Sequence, residues 1–498
     1  MKHSGNKSEN RKAVIIGGGP AGLTAAYQLS KRGRESIVLE KDLVVGGISR
    51  TVNYKNYLFD IGGHRFFTKI KAVEAMWKEV LGDDFLHRMR MSRIYYNKKF
   101  FYYPLRPMNA LKGLGVRNSV MILLSYIYAH IFPLKNEETF EQWVTNRFGR
   151  RLYNTFFKTY TEKVWGMSCS EIRAEWVAQR IKGLSLLSAV RNALIHNQQD
   201  KTGKPVIKTL IDSFDYPKYG PGMMWQAVSD IINSNGSQVR LGSEVEAILW
   251  DKDHGVTAVE VRVNGRMEAI PGTDFISSMP MRELVQKLRP AVPEEVLHAA
   301  NNLQYRDFLT VALIVNKSDV FSDNWIYIHD PNVKVGRIQN YKNWSPYMVP
   351  DPDKTCIGLE YFCYEGDELW NMPDRDLIEL GKKEIGKLQL LKSTDVEDGS
   401  VVRMPKAYPS YDSKYREMLD IICSFLSGIN NLQLVGRNGM HRYNNQDHSM
   451  LTAMLAVENI EGARHDLWKV NEEQEYHEEQ KTIPDEVRNE SLAVLSLK

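Results

Sequence analysis

Short, wholly apolar runs separated by amphipathic stretches organise the first part of this chain. Ala13–Ile16 is an unbroken apolar run that ends in glycines, a helix-compatible segment starts at Pro20, and a second apolar run, Ile37–Leu39, ends at Glu40. Short apolar runs bounded by turn residues predict buried strands, so this stretch reads as strand, turn, helix, strand. Residues 51–69 continue as a strand running into a Gly62-Gly63 turn that carries His64, and two aromatic strands, Arg93–Tyr96 and Phe100–Tyr103, flank Lys98-Lys99. From Met108 to about Ala193 the period becomes helical, with Thr139 and Gln142 placed as a capping box for the helix containing Trp143. A polar loop (196–206) follows, and Pro221 sits in the first turn of a helix running to about Asn233. The pattern then alternates: Val245–Ile248, Ala258–Val263, the Asn264-Gly265 hairpin turn and a return strand from Arg266. Phe275–Ser277 reads as a strand returning to the first sheet. Phe308–Val315, Trp325–His329, Gly336–Tyr341 and Thr355–Phe362 predict a second, largely antiparallel sheet. Leu432–Val435 is one more strand end, Asp447–Glu458 a helix, and the tail after about Glu472 is charged.

The chemistry begins in the first turn. Gly17, Gly19 and Gly22 stand at G-x-G-x-x-G spacing between a strand and a helix, the pattern that lets a backbone approach a pyrophosphate. The helix start adds free N–H groups and the positive end of a dipole. Glu40 follows about 20 residues on, where a carboxylate accepts from ribose hydroxyls. Lys41 is next to it, and Gly46-Gly47 make a second glycine turn over the same pyrophosphate. That E-x-x-x-x-x-G-G continuation resembles FAD proteins of the glutathione-reductase type, so FAD is expected over NAD(P).

The remaining composition bounds the answer. A chain of 498 residues is too long for one ordinary core, which predicts interleaved domains. A formal net charge of +4 gives no reason to expect a nucleic-acid partner. Four cysteines without a C-x-x-C pattern, and no signal peptide ahead of the first strand, predict a cytoplasmic protein with reduced thiols and no metal site. Val120–Leu134 is apolar but shorter than the roughly 20 residues that span a bilayer, so no stable membrane insertion is expected; a buried or interface helix is the first reading and peripheral membrane contact the alternative. The expected fold class is α/β: a Rossmann-like FAD-binding domain, an inserted helical domain and a second, largely antiparallel β-sheet substrate domain. The boundaries read as a leader (1–12), an FAD-binding domain (13–105, 236–300, 430–465), a helical domain with a substrate lid (106–235), the antiparallel domain (301–429) and a charged tail (466–498).

Three further stretches carry a resemblance: Tyr160-Thr161-Glu162-Lys163-Val164-Trp165-Gly166; Gly436-Arg437-Asn438-Gly439-Met440-His441-Arg442-Tyr443 followed by Asn445-Gln446-Asp447-His448-Ser449; and Gly62-Gly63-His64 with Phe67-Thr68. With the front unit, these resemble the UDP-galactopyranose mutase family, within the amine oxidase and protoporphyrinogen oxidase-like superfamily. The resemblance implies an isomerase of polysaccharide biosynthesis that interconverts pyranose and furanose forms of a nucleotide sugar. It implies a reduced FAD whose N5 attacks the anomeric carbon and expels the diphosphate, with NAD(P)H a candidate reductant. A nucleotide-sugar substrate is the implied partner, and a homo-oligomer is left open.

Residue by residue, the resemblance implies that Arg180 and Arg306 clamp the diphosphate and that Tyr443, and more weakly Tyr408, donate hydroxyls to it. Tyr160, Trp165 and Asn445 are implied to border the substrate, and His64 to sit near the isoalloxazine. Gly63, Val245, Arg437, Gln446 and Asp447 are implied to lie along the cofactor. The long segment Ile181–Asp215 departs from the family pattern where a lid is expected. Two alternatives stay open: an FAD-dependent oxidase or dehydrogenase of the same superfamily, and a non-catalytic carrier on the same fold, as in Rab GDP-dissociation inhibitors.

Overall fold

Alternation within the first strand dictates the layers. In the computed structural model, which describes residues 12–103, 105, 107–174 and 213–471, Ala13 and Ile15 pack with Val38 and Ile276 into one core, while Val14 and Ile16 pack with Ile37, Leu39 and Phe275 into another. Both faces are covered, which is why the run is continuously apolar. The sheet is five-stranded and wholly parallel, in the order Leu432–Leu434, Asp274–Ser277, Ala13–Ile16, Ser36–Leu39, Gln238–Arg240. Helices Pro20–Lys31, Lys71–Leu81, Gly222–Ser234 and Gln446–Ile460 fill one side. The other side carries the antiparallel strands Ser243–Asp251, Gly255–Val263 and Arg266–Pro271, with Asn264 and Gly265 both at positive φ in the hairpin turn.

The second sheet has seven strands, and within it Tyr305–Val315 is buried at every residue. Leu309, Val311, Leu313 and Val315 pack on Leu377 and Ile385 of the covering helix Asp374–Lys387, and Ala312 and Ile314 face Tyr341 and Trp344. The strand on its outer side, Val396–Pro409, is absent from the hydrophobic pattern. It is an edge strand containing Gly399, Pro405 and Pro409, where missing side-chain or N–H contributions are tolerated, and its register is set by pairing with Tyr305–Val315.

Two segments join sheets other than those the sequence boundaries assign them. The hairpin Ser92–Tyr96 and Lys99–Tyr102, read as part of the FAD-binding unit, pairs in parallel with Trp325–Ile328 at the edge of the seven-stranded sheet. An ion pair from the half-buried Arg93 to the buried Asp323 (2.5 Å) fixes it there. Helix Gly222–Ser234, read as part of the helical insertion, instead buries Met224, Trp225, Val228 and Ile232 beneath the parallel sheet. The Thr139–Gln142 capping box is present, at the start of Phe140–Phe148. Arg180, nearly all of Ile181–Asp215, and the ends 1–11 and 472–498 lie outside the described residues.

The loop that carries His64 is fixed by side chains from several separate elements. Tyr341 Oη donates to the Asp60 carbonyl (2.9 Å), and Tyr216 and Thr51 donate to the Asp60 carboxylate. Further on, Phe66 stacks against Trp77 with ring centroids 4.4 Å apart, and Thr68 donates to Asp447 (3.1 Å). Burial pushes the Asp60 carboxyl up to about 7, against the hydroxyl donors that favour its charged form.

Two outcomes are expected. A Cβ on Gly358 would lie 2.2 Å from Tyr341 Oη, so Gly358→Ala should displace the ring that holds Asp60. A loss of roughly 1–3 kcal/mol, the usual scale of overpacking, should appear in denaturant unfolding. Asp60, raised from 3.8 to about 7, contributes stability that is full below its unfolded value and lost as pH rises through about 7. Asp60→Asn should therefore gain on the parent across that interval when melting temperature is followed against pH; a constant difference would refute the assignment.

Candidate active site

The first glycine turn is held by backbone meeting backbone. A Cβ on Gly22 would sit 1.9 Å from the Gly17 carbonyl oxygen, and Gly17 itself is at φ +101°. The second turn rests on the first, since the Gly46 N–H donates to the Gly18 carbonyl at 2.8 Å. Glu40 accepts from the Gly18 N–H (2.6 Å) through one oxygen and from the Asp42 N–H (2.9 Å) through the other. Each oxygen keeps a second lone pair for a ribose hydroxyl. Burial raises the Glu40 pKa, opposed by those two N–H groups.

These residues line one cleft. Gly17, Gly19, Glu40, Lys41, Gly47, His64, Val245, Arg437 and Gln446 all reach it. Gly22 and Gly46 shape it from behind. The Gly63 Cα faces Gln339 and Trp344 instead, and Asp447 is buried beneath the His64 loop through its bond to Thr68. Arg50 also lines the cleft, three residues past Gly47, and pairs with Asp42 at 2.6 Å. It was not read from the sequence, although a cation so close to a phosphate turn is a usable signal.

The donor set fits FAD. Asn438 Oδ1 and Gln446 Nε2 are buried against the cleft without a protein partner, which a polar ligand there would supply. Among the described residues, no group of His, Cys, Asp and Glu could hold a metal ion.

Beyond the His64 end of the cleft, aromatic rings and cations gather. Tyr408 and Tyr443 stack nearly parallel (5.5 Å, 11°), and Trp165 meets both at 6.3 and 6.4 Å. The Arg437 guanidinium lies 4.7 Å from the Tyr443 ring and 5.3 Å from Tyr408, held by the Asn444 and Ala407 carbonyls. Tyr160 stacks on His329 (4.7 Å, 9°). His64 Nε2 lies 2.9 Å from the Ile61 carbonyl, and burial, with Arg437 and Arg337 nearby, lowers its pKa to about 4. It is neutral at neutral pH. Asn445 is exposed and N-caps Gln446–Ile460.

Arg306 does not face this space. Its Nε donates to the Val164 carbonyl (3.0 Å), and Nη2 to those of Lys163 (3.3 Å) and Phe362 (2.9 Å), while the guanidinium stacks on Tyr364 at 4.0 Å. These bonds tie down the end of helix Lys158–Trp165, whose last carbonyls lack intrahelical partners. Among the described residues, a second cation near His64, besides Arg437, is Arg337, which was not read from the sequence. It is paired with Glu360 (2.5 Å), its Nη2 lies 3.8 Å from where a Gly62 Cβ would be, and its charged neighbourhood includes Tyr160, Tyr408 and Tyr327. Burial is the largest single influence and opposes its charge, but Glu360 together with Tyr160, Tyr408 and Tyr327 outweighs it, and the pKa is raised. The signal was Glu360, a carboxylate inside the otherwise apolar strand Thr355–Cys363, directly across from Arg337 in the sheet register.

Lys163 of the Y-T-x-K-x-W-G segment is structural too. Its Nζ donates to the carbonyls of Ile328, Asp330 and Val335 at 3.3, 2.6 and 3.2 Å. Burial lowers its pKa to about 8.

Gly22→Ala should strip the protein of FAD, because the helix must move off the Gly17 carbonyl and carry the turn with it. Flavin absorbance after gel filtration measures this, and a variant retaining one FAD per chain would overturn the geometry.

The comparisons with known proteins agree with this cleft. A family model described as flavin containing amine oxidoreductase matches residues 20–443. The structure of reduced UDP-galactopyranose mutase aligns with a TM-score of 0.80 at 22% identity, over 93% of this chain and 98% of that one. The 15-cis-phytoene desaturase of Narcissus pseudonarcissus is 23% identical over 78% of this chain and 68% of its own length. An L-amino-acid oxidase of Crotalus adamanteus is 39% identical over 72 residues, 14% of this chain and 14% of its own. The chain spans about half or less of the first curated relatives' lengths. The fold is the FAD-dependent α/β fold, the cofactor is FAD, and the chain belongs to the flavin-containing amine oxidoreductase family.

Proposed function

We propose that this chain is a nucleotide-sugar mutase that interconverts pyranose and furanose forms of UDP-galactopyranose or a close relative, with FAD in its reduced state. The observation that carries this reading is Arg337, a largely buried and charged guanidinium among Tyr160, Tyr408 and Tyr327 and close to His64. Bound and reduced, FAD supplies an electron pair at N5 toward an anomeric carbon. The chain's own groups handle the leaving diphosphate: Arg337 with the hydroxyls of Tyr443 and Tyr408, and Arg180 as a second cation. Trp165 and Tyr160 offer flat amphipathic surfaces to the nucleoside and sugar. The His64 ring is held through Nε2 at the Ile61 carbonyl, with the Ile48 backbone as a second hydrogen-bond partner. NAD(P)H is the candidate reductant, and a cytoplasmic setting suits the four free cysteines. The family description and the desaturase and oxidase relatives favour a second reading, in which FAD takes a hydride from the substrate.

Dithionite-reduced protein, incubated anaerobically with UDP-, GDP- and TDP-sugars, should give a ring-contracted product by chromatography, and oxidised protein none. Arg337→Ala should lower kcat/KM by the equivalent of about 2–4 kcal/mol, the scale of losing one preorganised donor to an oxyanion. Arg306→Ala should show its loss in melting temperature first. Bleaching of oxidised flavin by a substrate, with no product across the sugar panel, would establish the second reading instead.

A further inference from the structure

Helix Val116–Ile131 is apolar over most of its surface, but among the described residues only a narrow stripe of it is covered. Ile122, Tyr126 and Ala129, at helical spacing, are buried against the neighbouring helices. The opposite side exposes Val116 (81%), Leu123, Leu124, Ile127 and Ile131 (63%), and Phe132 extends it past the helix end. A helix this apolar belongs in a core or against lipid, and soluble monomers seldom leave a contiguous apolar patch larger than roughly a few hundred Å².

The charge around this face is one-sided. Residues 85–136 contain nine Lys and Arg and no Asp or Glu, so the rest of a chain of net charge +4 carries −5. Lys98, Lys99, Lys112, Arg117 and Lys135 are exposed. Lys99 Nζ donates to the Gly113 carbonyl (2.8 Å), which sets the cationic tip of the Ser92–Tyr102 hairpin beside the start of the helix. Tyr128, at 66% exposure, adds an aromatic ring of the kind that settles at a lipid–water boundary.

We propose that this helix docks the chain onto an anionic lipid surface, lying in the plane of the membrane with its apolar side in the acyl boundary and the lysines and arginines on headgroups. Sixteen residues at about 1.5 Å each reach roughly 24 Å, short of a bilayer core, and no described helix is long and apolar enough to cross a membrane. An in-plane helix needs an apolar face with cationic flanks, and both are present. A second copy of the chain fits less well. Two such faces related by a two-fold axis would set cationic rims together with no acidic residue from 85 to 136 to answer them.

The test uses the full FAD-loaded chain and sedimentation with phosphatidylcholine vesicles, with and without phosphatidylserine. The parent should pellet with the anionic vesicles and at least tenfold less with the neutral ones, and added salt should weaken binding. The double variant Leu124→Glu, Ile127→Glu should stay in the supernatant with unchanged flavin content and melting temperature. Lys98→Gln, Lys99→Gln, Arg117→Gln should lose the preference for anionic lipid while keeping its fold. A parent that stays soluble with both vesicles, or binds both equally, overturns the proposal. So does a parent that sediments as a dimer without lipid and becomes a monomer in the Leu124→Glu, Ile127→Glu variant, which would make the face a self-association surface.

Discussion

Everything on the cofactor side of this molecule depends on how closely one helix approaches one carbonyl. Gly22 lets Pro20–Lys31 settle on the Gly17 oxygen with no space for even a methyl group. That approach aims the helix start at the cleft, and the second glycine turn is then hydrogen-bonded to the first through Gly46 and Gly18. The Glu40 carboxylate locks the same turn through the Gly18 N–H. Three sequence features that look like separate signatures are therefore one mechanical unit, and loss of the approach loosens all of them together.

Buried cations in the rest of the protein fall into two kinds. Lys163 and Arg306 spend their donors on backbone carbonyls, joining helix Lys158–Trp165 to the second sheet and to the loop after Trp325–Ile328. They satisfy acceptors that would otherwise be stranded, which is a structural task. Arg337 is instead balanced by a carboxylate, with Gln339 holding the other Glu360 oxygen at 2.6 Å. Its charge is neutralised by a side chain, a different use of the same functional group.

This difference explains what could and could not be read from the sequence. The glycine turns, the hairpin at Asn264-Gly265 and the Thr139–Gln142 cap were legible because each is decided within a few residues. The core strands were legible from unbroken apolar runs. Val396–Pro409 was not, because its pairing comes from Tyr305–Val315 and not from its own residues. Arg306 and Arg337 both lie on strands of the seven-stranded sheet, and nothing local says that one guanidinium meets helix-end carbonyls while the other meets Glu360. A polar residue inside a fully buried strand was the better guide, since burial without a partner is too costly to persist.

The FAD cleft alone does not distinguish hydride acceptance from sugar rearrangement, because the same glycine turns serve both. The distinction rests on what lies across from it. Removing two charges from water costs more than their attraction commonly returns, so the Arg337–Glu360 pair is weak evidence of a device for stability. Not every substrate gives such a cation a use. A diphosphate does, because its charge grows at the bond being broken, and a guanidinium already desolvated and oriented meets that charge without reorganising. The rings of Trp165, Tyr408 and Tyr443, with Arg437 against two of them, then form a boundary that can take a flat nucleoside and still offer hydroxyls. On the proposed mutase reading, the second sheet supplies groups that would meet the substrate, and the parallel sheet holds the cofactor.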